Sequence, residues 1–115
     1  MTENLEKIFE LADLMSVVSN QKMALKEEFE QSTLFFHNGG CFKSDPVLIS
    51  FVTALQHKNQ KSTVLIDSNS SPIVIEDLDK FLEDILNQYF NASNKYIAGY
   101  QKLRSSKSIT SILNV

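Results

Sequence analysis

The stretch Asp77–Arg104 reads DLDKFLEDILNQYFNASNKYIAGYQKLR, with no proline and one glycine, Gly99. Leu78, Leu82, Ile85, Tyr89, Ala92, Tyr96, Gly99 and Leu103 recur at alternating spacings of four and three. That is the period of a helix packing along a seam. In the first half a second row, Phe81, Leu86 and Phe90, widens the stripe to a face that covers a core. At about 1.5 Å per residue such a helix runs roughly 42 Å, against about 30 Å for a small domain, so its C-terminal half is expected to overhang the body. Charge divides it in the same place. Asp77–Phe90 carries net −3 (Asp77, Asp79, Glu83 and Asp84 against Lys80), and Asn91–Arg104 carries net +3 from Lys95, Lys102 and Arg104. Acid at the start and base at the end both suit the helix dipole.

Working outward, the segment before it holds two β-branched runs, TVLID at 63–67 and PIVIE at 72–76, separated by Ser and Asn turn residues. This predicts a hairpin, with Pro72 tolerated at the start of its strand. Further back, Asp45-Pro46 pairs an N-cap residue with one suited to the first helical position, so a helix should run from there to about His57. Before it, TLFFH at 33–37, then Asn38-Gly39-Gly40 and CFK, predicts a second hairpin. Residues 3–18 show a helical row of Leu5, Ile8, Phe9, Ala12 and Met15, with Leu11, Leu14 and Val18 beside it and Thr2 as N-cap. Ser19-Asn20 weakens the pattern before KMALKEEFE resumes it at 22–30. The two stretches are one helix or two; two segments, or one bent near Asn20, is the preferred reading. The order helix, hairpin, helix, hairpin, long helix predicts an α+β fold, a small antiparallel sheet packed with helices. One domain is expected over residues 1–104, followed by a serine-rich tail at 105–115 that is flexible unless a protein partner binds Ile109, Ile112 and Leu113.

Composition narrows the function classes. The 115 residues are 43% hydrophobic and 22% charged with net charge −3, ordinary for one small domain. No apolar run is long enough to span a bilayer, so no membrane association is expected. The N-terminal residues lack a basic region followed by an apolar block, so no secretory leader is expected either. The single cysteine, Cys41, forms no internal pair, which suits a reducing cytoplasm.

Candidate chemistry is sparse. His37, Cys41 and His57 are too few and too scattered for a structural zinc site, and a Cys–His pair lacks an orienting third group. Asp67-x-Asn69-x-Ser71 begins like a calcium loop, but Pro72 and Leu78 stand where glycine and a bidentate Glu are required. Asn38-Gly39-Gly40 offers backbone N–H groups to an anion but no phosphate-loop lysine follows. Asp79, Glu83 and Asp84 read as a solvated helix face, because no inward histidine accompanies them. No catalytic residue, metal or cofactor is expected, and the chain is not expected to be an enzyme.

Two binding readings remain. The first is self-association through the long helix. Tyr89, Ala92, Tyr96, Gly99 and Leu103 form the seam, and Glu83, Asp84, Lys95 and Lys102 set the orientation, antiparallel so that acidic halves meet basic ones. A homodimer or higher homo-oligomer follows. The competing explanation is that the N-terminal helix covers that stripe within one chain. The alternative function is nucleic-acid binding by the basic last quarter, with Lys102, Arg104 and Lys107 on phosphates and Tyr96 and Tyr100 stacking on bases. The runs DPVLISFV, VLIDSNSSPIVIEDLDKFLEDILNQYF and NKYIAGYQKLRSSKSI resemble small uncharacterised proteins of large contractile-tailed phages of marine bacteria, over roughly residues 33–110. That resemblance implies a virion accessory or host-takeover protein, in host cytoplasm or virion, with no catalytic residues to carry over.

Overall fold

A computed structural model describes residues 2–105. The elements run α1 (Thr2–Ser32), β1 (Leu34–His37), β2 (Gly40–Lys43), α2 (Pro46–His57), β3 (Thr63–Ile66), β4 (Pro72–Ile75) and α3 (Leu78–Arg104). The α+β order expected from the sequence is therefore the observed one. The two hairpins do not merge into a single sheet; each is its own two-stranded antiparallel ladder. Expectations placed on residues 106–115, including Lys107 and the apolar tail, lie outside the described residues.

Among the described residues the contacts within the chain gather into two compact units: unit 1 takes residues 2–29 and 94–105, unit 2 takes residues 30–93. Both long helices contribute residues to each unit. Every buried residue among those described belongs to unit 2.

Unit 2 is built around Phe81. Its ring meets those of Phe35, Phe42 and His37 edge-on, at centroid distances of 5.7, 5.3 and 5.4 Å. Such edge-to-face pairs are favoured by the ring quadrupole. Around it close Val52 from α2, Leu65, Ile73 and Ile75 from the second hairpin, and Leu78, Leu82 and Ile85 from α3. Local chemistry fixes the boundaries. Asn38 and Gly39 both adopt positive φ (48° and 78°) in the two-residue turn that sets His37 opposite Gly40. The Asp45 carboxylate accepts from the Leu48 N–H, capping α2 with Pro46 at its start. At the other end Asn59 takes φ 62°, its N–H donating to the Gln56 carbonyl while Gln60 N–H donates to Leu55. That is the paired pattern that terminates many helices. Asp77 caps α3, its carboxylate accepting from Lys80 N–H.

Asp67 ties the two hairpins together. One carboxylate oxygen accepts from the N–H groups of Asn69 and Ser71, and the other accepts from Cys41 N–H on β2 at 3.0 Å. Ser68 N–H returns a bond to the Cys41 carbonyl. The Cys41 N–H above all, then that of Ser71 with help from Asn69, holds the Asp67 carboxyl below the usual carboxylate range, against the opposing pull of burial. The Asp67–Ser71 segment is thus a backbone-satisfied turn.

Unit 1 is an antiparallel pairing of α1 with the last part of α3. Phe29 stacks on Tyr96 at 4.8 Å, Leu25 lies against Gly99, and Lys22 sits over the Tyr100 ring. The numbers rise on one helix as they fall on the other. α1 is one continuous helix of 31 residues, which corrects the two-segment reading. Ser19-Asn20 costs only a few tenths of a kcal/mol per residue relative to good helix formers, too little to break a helix held by flanking turns.

Candidate functional site

The seam of α3 is intact, and the structure shows what lies on it. Ala92 is buried, and Tyr89, Tyr96, Gly99 and Leu103 are half-buried. Within unit 1 the occupant is α1: Phe29 takes the Tyr96 face, and a Cβ on Gly99 would meet Leu25 Cδ2 at 2.7 Å. Gly99 does permit a close helix approach, but the helix that approaches is the chain's own. At Tyr96 and Gly99 the seam is thus partly covered by α1 of the same chain, as in the competing explanation, and both residues stay half-exposed. Phe90, placed in the core-facing row, is instead 54% exposed.

The orientation charges divide likewise. Lys95 bonds Glu28 of α1 at 3.0 Å, an exposed pair inside unit 1. Asp84 pairs with Lys80 one turn earlier on α3, and its hydrogen bond pushes the Lys80 ammonium above its ordinary range, with Glu83 adding to the field. Lys102 borders an open groove of about 600 Å³ in unit 1, floored by Leu14, Val18 and Leu25 from α1 and Gly99 and Leu103 from α3. Of the two rings expected to stack on bases, Tyr96 is stacked on Phe29 and Tyr100 lies beneath Lys22. Lys102 and Arg104 are exposed at the end of α3.

The polar groupings singled out in the sequence are placed as follows. The register of the first hairpin puts His37 opposite Gly40 and Cys41 opposite Phe36. Adjacent rungs point to opposite faces, so histidine and thiol diverge. His37 belongs to the Phe81 cluster. Asp79 accepts from Gln56 Nε2 and faces Lys61 at 3.9 Å. No group of three or more metal-ligating side chains occurs among the described residues. No helix among them is long and apolar enough to cross a membrane.

The periodicity of α1 does not say which of its apolar rows meets α3. No residue of this helix is buried. The residues turned toward α3 are Leu14, Val18, Leu25 and Phe29, all half-buried. A second row points elsewhere: Leu5, Ile8, Phe9 and Met15 are 53–60% exposed and Ala12 is exposed. A second apolar surface lies in unit 2, where Val64, Ile66 and Val74 cover the outward face of the β3–β4 hairpin. Val64 and Val74 are cross-strand partners there, and Ile66 shares a surface hollow with Val47 and Phe51. The signal for this surface was present in TVLI and PIVI: strands apolar on both faces are characteristic of sheets covered on both sides. Compared with known proteins, the chain matches no family model, no curated protein and no solved structure.

Proposed function

We propose that this chain acts by protein–protein contact, its first partner being another copy of itself. One observation carries the reading: a 31-residue helix that buries none of its own residues, with a row of large apolar side chains left in solvent. Exposed apolar surface beyond a few hundred Å² on a small protein is characteristic of interaction sites. Burying such surface is favourable by about 25 cal/mol per Å². The resemblance to contractile-tailed phage proteins supplies the setting we propose, a virion or host-takeover accessory protein.

Light scattering on the purified chain tests this. At high micromolar concentration the mass should be that of a dimer or larger; a clean monomer there overturns self-association. A gel shift at low salt that disappears when Lys102 and Arg104 become Ala would instead move the function to nucleic acid.

A further inference from the structure

We propose that a second seam on α1, Leu5, Ile8, Ala12 and Met15 flanked by Phe9 and Leu11, is the self-association surface, and that the same seam of a second copy covers it. The proposal rests on the self-association reading above and relocates it from α3 to α1.

The two faces of α1 are distinct by geometry. At 100° per residue, Leu14, Val18, Leu25 and Phe29 cluster on one line, and that line meets α3. Leu5, Ile8, Ala12 and Met15 follow spacings of three, four and three on another line, roughly a third of a turn away. Three-four-three is the a/d repeat by which helices supercoil. The inner line is already in use. The outer line has every member exposed.

Charge placement selects the occupant. With Leu5 and Ala12 at a and Ile8 and Met15 at d, the flanking e and g positions hold Asn4, Phe9, Leu11 and Ser16, none charged. Glu6, Lys7, Glu10 and Asp13 all fall at b, c and f, away from the contact. Partner choice between unlike helices is normally written in charges at e and g. This seam has none. A second copy therefore brings no like charge to the interface, even though residues 2–13 are acidic overall, with four acids to one base. Phe9 and Leu11 widen the contact beyond a minimal a/d stripe, and Ala12 at its centre leaves the seam underfilled at one a position, which a larger apolar side chain would fill.

The test uses the full chain. Ile8→Glu and Met15→Glu, both at exposed positions, should leave the circular dichroism spectrum unchanged and weaken dimerisation at least tenfold each, read by sedimentation equilibrium. Ala12→Leu should tighten it about tenfold, a gain that misfolding does not produce. Val64→Glu, on the hairpin face, should leave the dimer intact. If the wild type is a monomer at high micromolar concentration, this proposal and the self-association reading both fall. If the wild type associates but Ile8→Glu and Met15→Glu leave it unaffected, only this surface is wrong; loss of the dimer in Val64→Glu alone moves the interface to the sheet.

Discussion

Unit 1 pairs the two long helices and unit 2 sets the first part of α3 among α2 and both hairpins, and only unit 2 has an interior among the described residues. In unit 2, α3 contributes Leu78, Phe81, Leu82 and Ile85, each 7% exposed or less, to a cluster closed by α2 and both hairpins. In unit 1 the same helix meets a single neighbour, and no described residue there falls into the buried class. A helix with neighbours on several sides can bury a broad stripe; a helix with one neighbour can bury only a line. The sequence changes at the same point. The double row of the first half of α3 gives way to a single seam near Asn94, where the unit boundary falls. The difference teaches where stability resides and where apolar surface is left over for a partner.

The largest test of that contrast is a pair of truncations. Phe81→Ala removes a ring that is 1% exposed and touches three others, and should cost about 3–5 kcal/mol, enough to unfold unit 2 in a marginally stable chain. Leu25→Ala, on the half-buried line of unit 1, should cost about 1 kcal/mol, well below the usual core range, because solvent already reaches that side chain. Urea unfolding measures both. Hydrogen exchange supplies a second reading: amides of residues 3–18 should exchange at least 100-fold faster than those of 81–90 in the monomer, since local opening is easiest where little apolar area is buried. Equal costs and equal protection would erase the distinction between the units.

Glycines sharpen it. A Cβ on Gly40 would sit 2.6 Å from Ile73 Cγ1 and 2.9 Å from its Cδ1, inside the packed core. Gly40→Ala should therefore destabilise by about 1–3 kcal/mol, the range for overpacking. A Cβ on Gly99 meets only the free end of Leu25 at 2.7 Å. There the roughly 1 kcal/mol of helix propensity gained by Ala is offset by a rotamer adjustment of about the same size, so Gly99→Ala should be near neutral. Thermal melts of the two variants separate the cases.

How far the chain could be read in advance follows the same division. The limits of α2 and α3 and both hairpin turns were legible because each is written twice, once in apolar period and once in local chemistry: Asp45-Pro46, Asn38-Gly39, and Asp77 before Leu78. The seam of α3 was legible too, but not its occupant. A period says which face is covered and is silent on whether the cover belongs to the same chain. On α1 the difficulty was competition between two rows. Leu5, Ile8, Phe9, Ala12 and Met15 stand closer together in the chain than Leu14, Val18, Leu25 and Phe29, yet it is the sparser row that packs inside the chain. Nothing in Asp67-Ser-Asn-Ser-Ser marked the carboxylate as the link between hairpins, because its third partner, Cys41 N–H, is 26 residues away.

That link gives unit 2 an acid dependence that unit 1 should lack. The Asp67 carboxyl is held below its ordinary range by the three N–H groups it accepts from. A group whose folded pKa is depressed adds stability above its unfolded pKa and loses it as pH falls through the folded value. Unit 2 should thus weaken progressively below the usual carboxylate range. Asp67→Asn, whose amide group presents donors where the native residue accepts, should be less stable at neutral pH and show a flatter acid slope. Urea midpoints from neutral pH downward measure this; an unchanged slope in the variant would place the acid sensitivity elsewhere.

The smallest expected effect lies in unit 1. Lys95 and Glu28 pair at 3.0 Å with side chains 69% and 52% exposed. In that setting an ion pair contributes about 0.2–1 kcal/mol and is screened by salt. Lys95→Ala should lower stability by no more than that in low salt, and the difference should vanish near 1 M NaCl, where the Debye length is about 3 Å. Phe29 stacked on Tyr96 beside this pair is not screened, so unit 1 should keep its helix pairing in high salt while losing the charge contribution. If the Lys95→Ala loss instead persisted undiminished at 1 M NaCl, the lysine would be acting through its aliphatic stem packed on the helix pair, and unit 1 would contain more of a core than its exposed surfaces indicate.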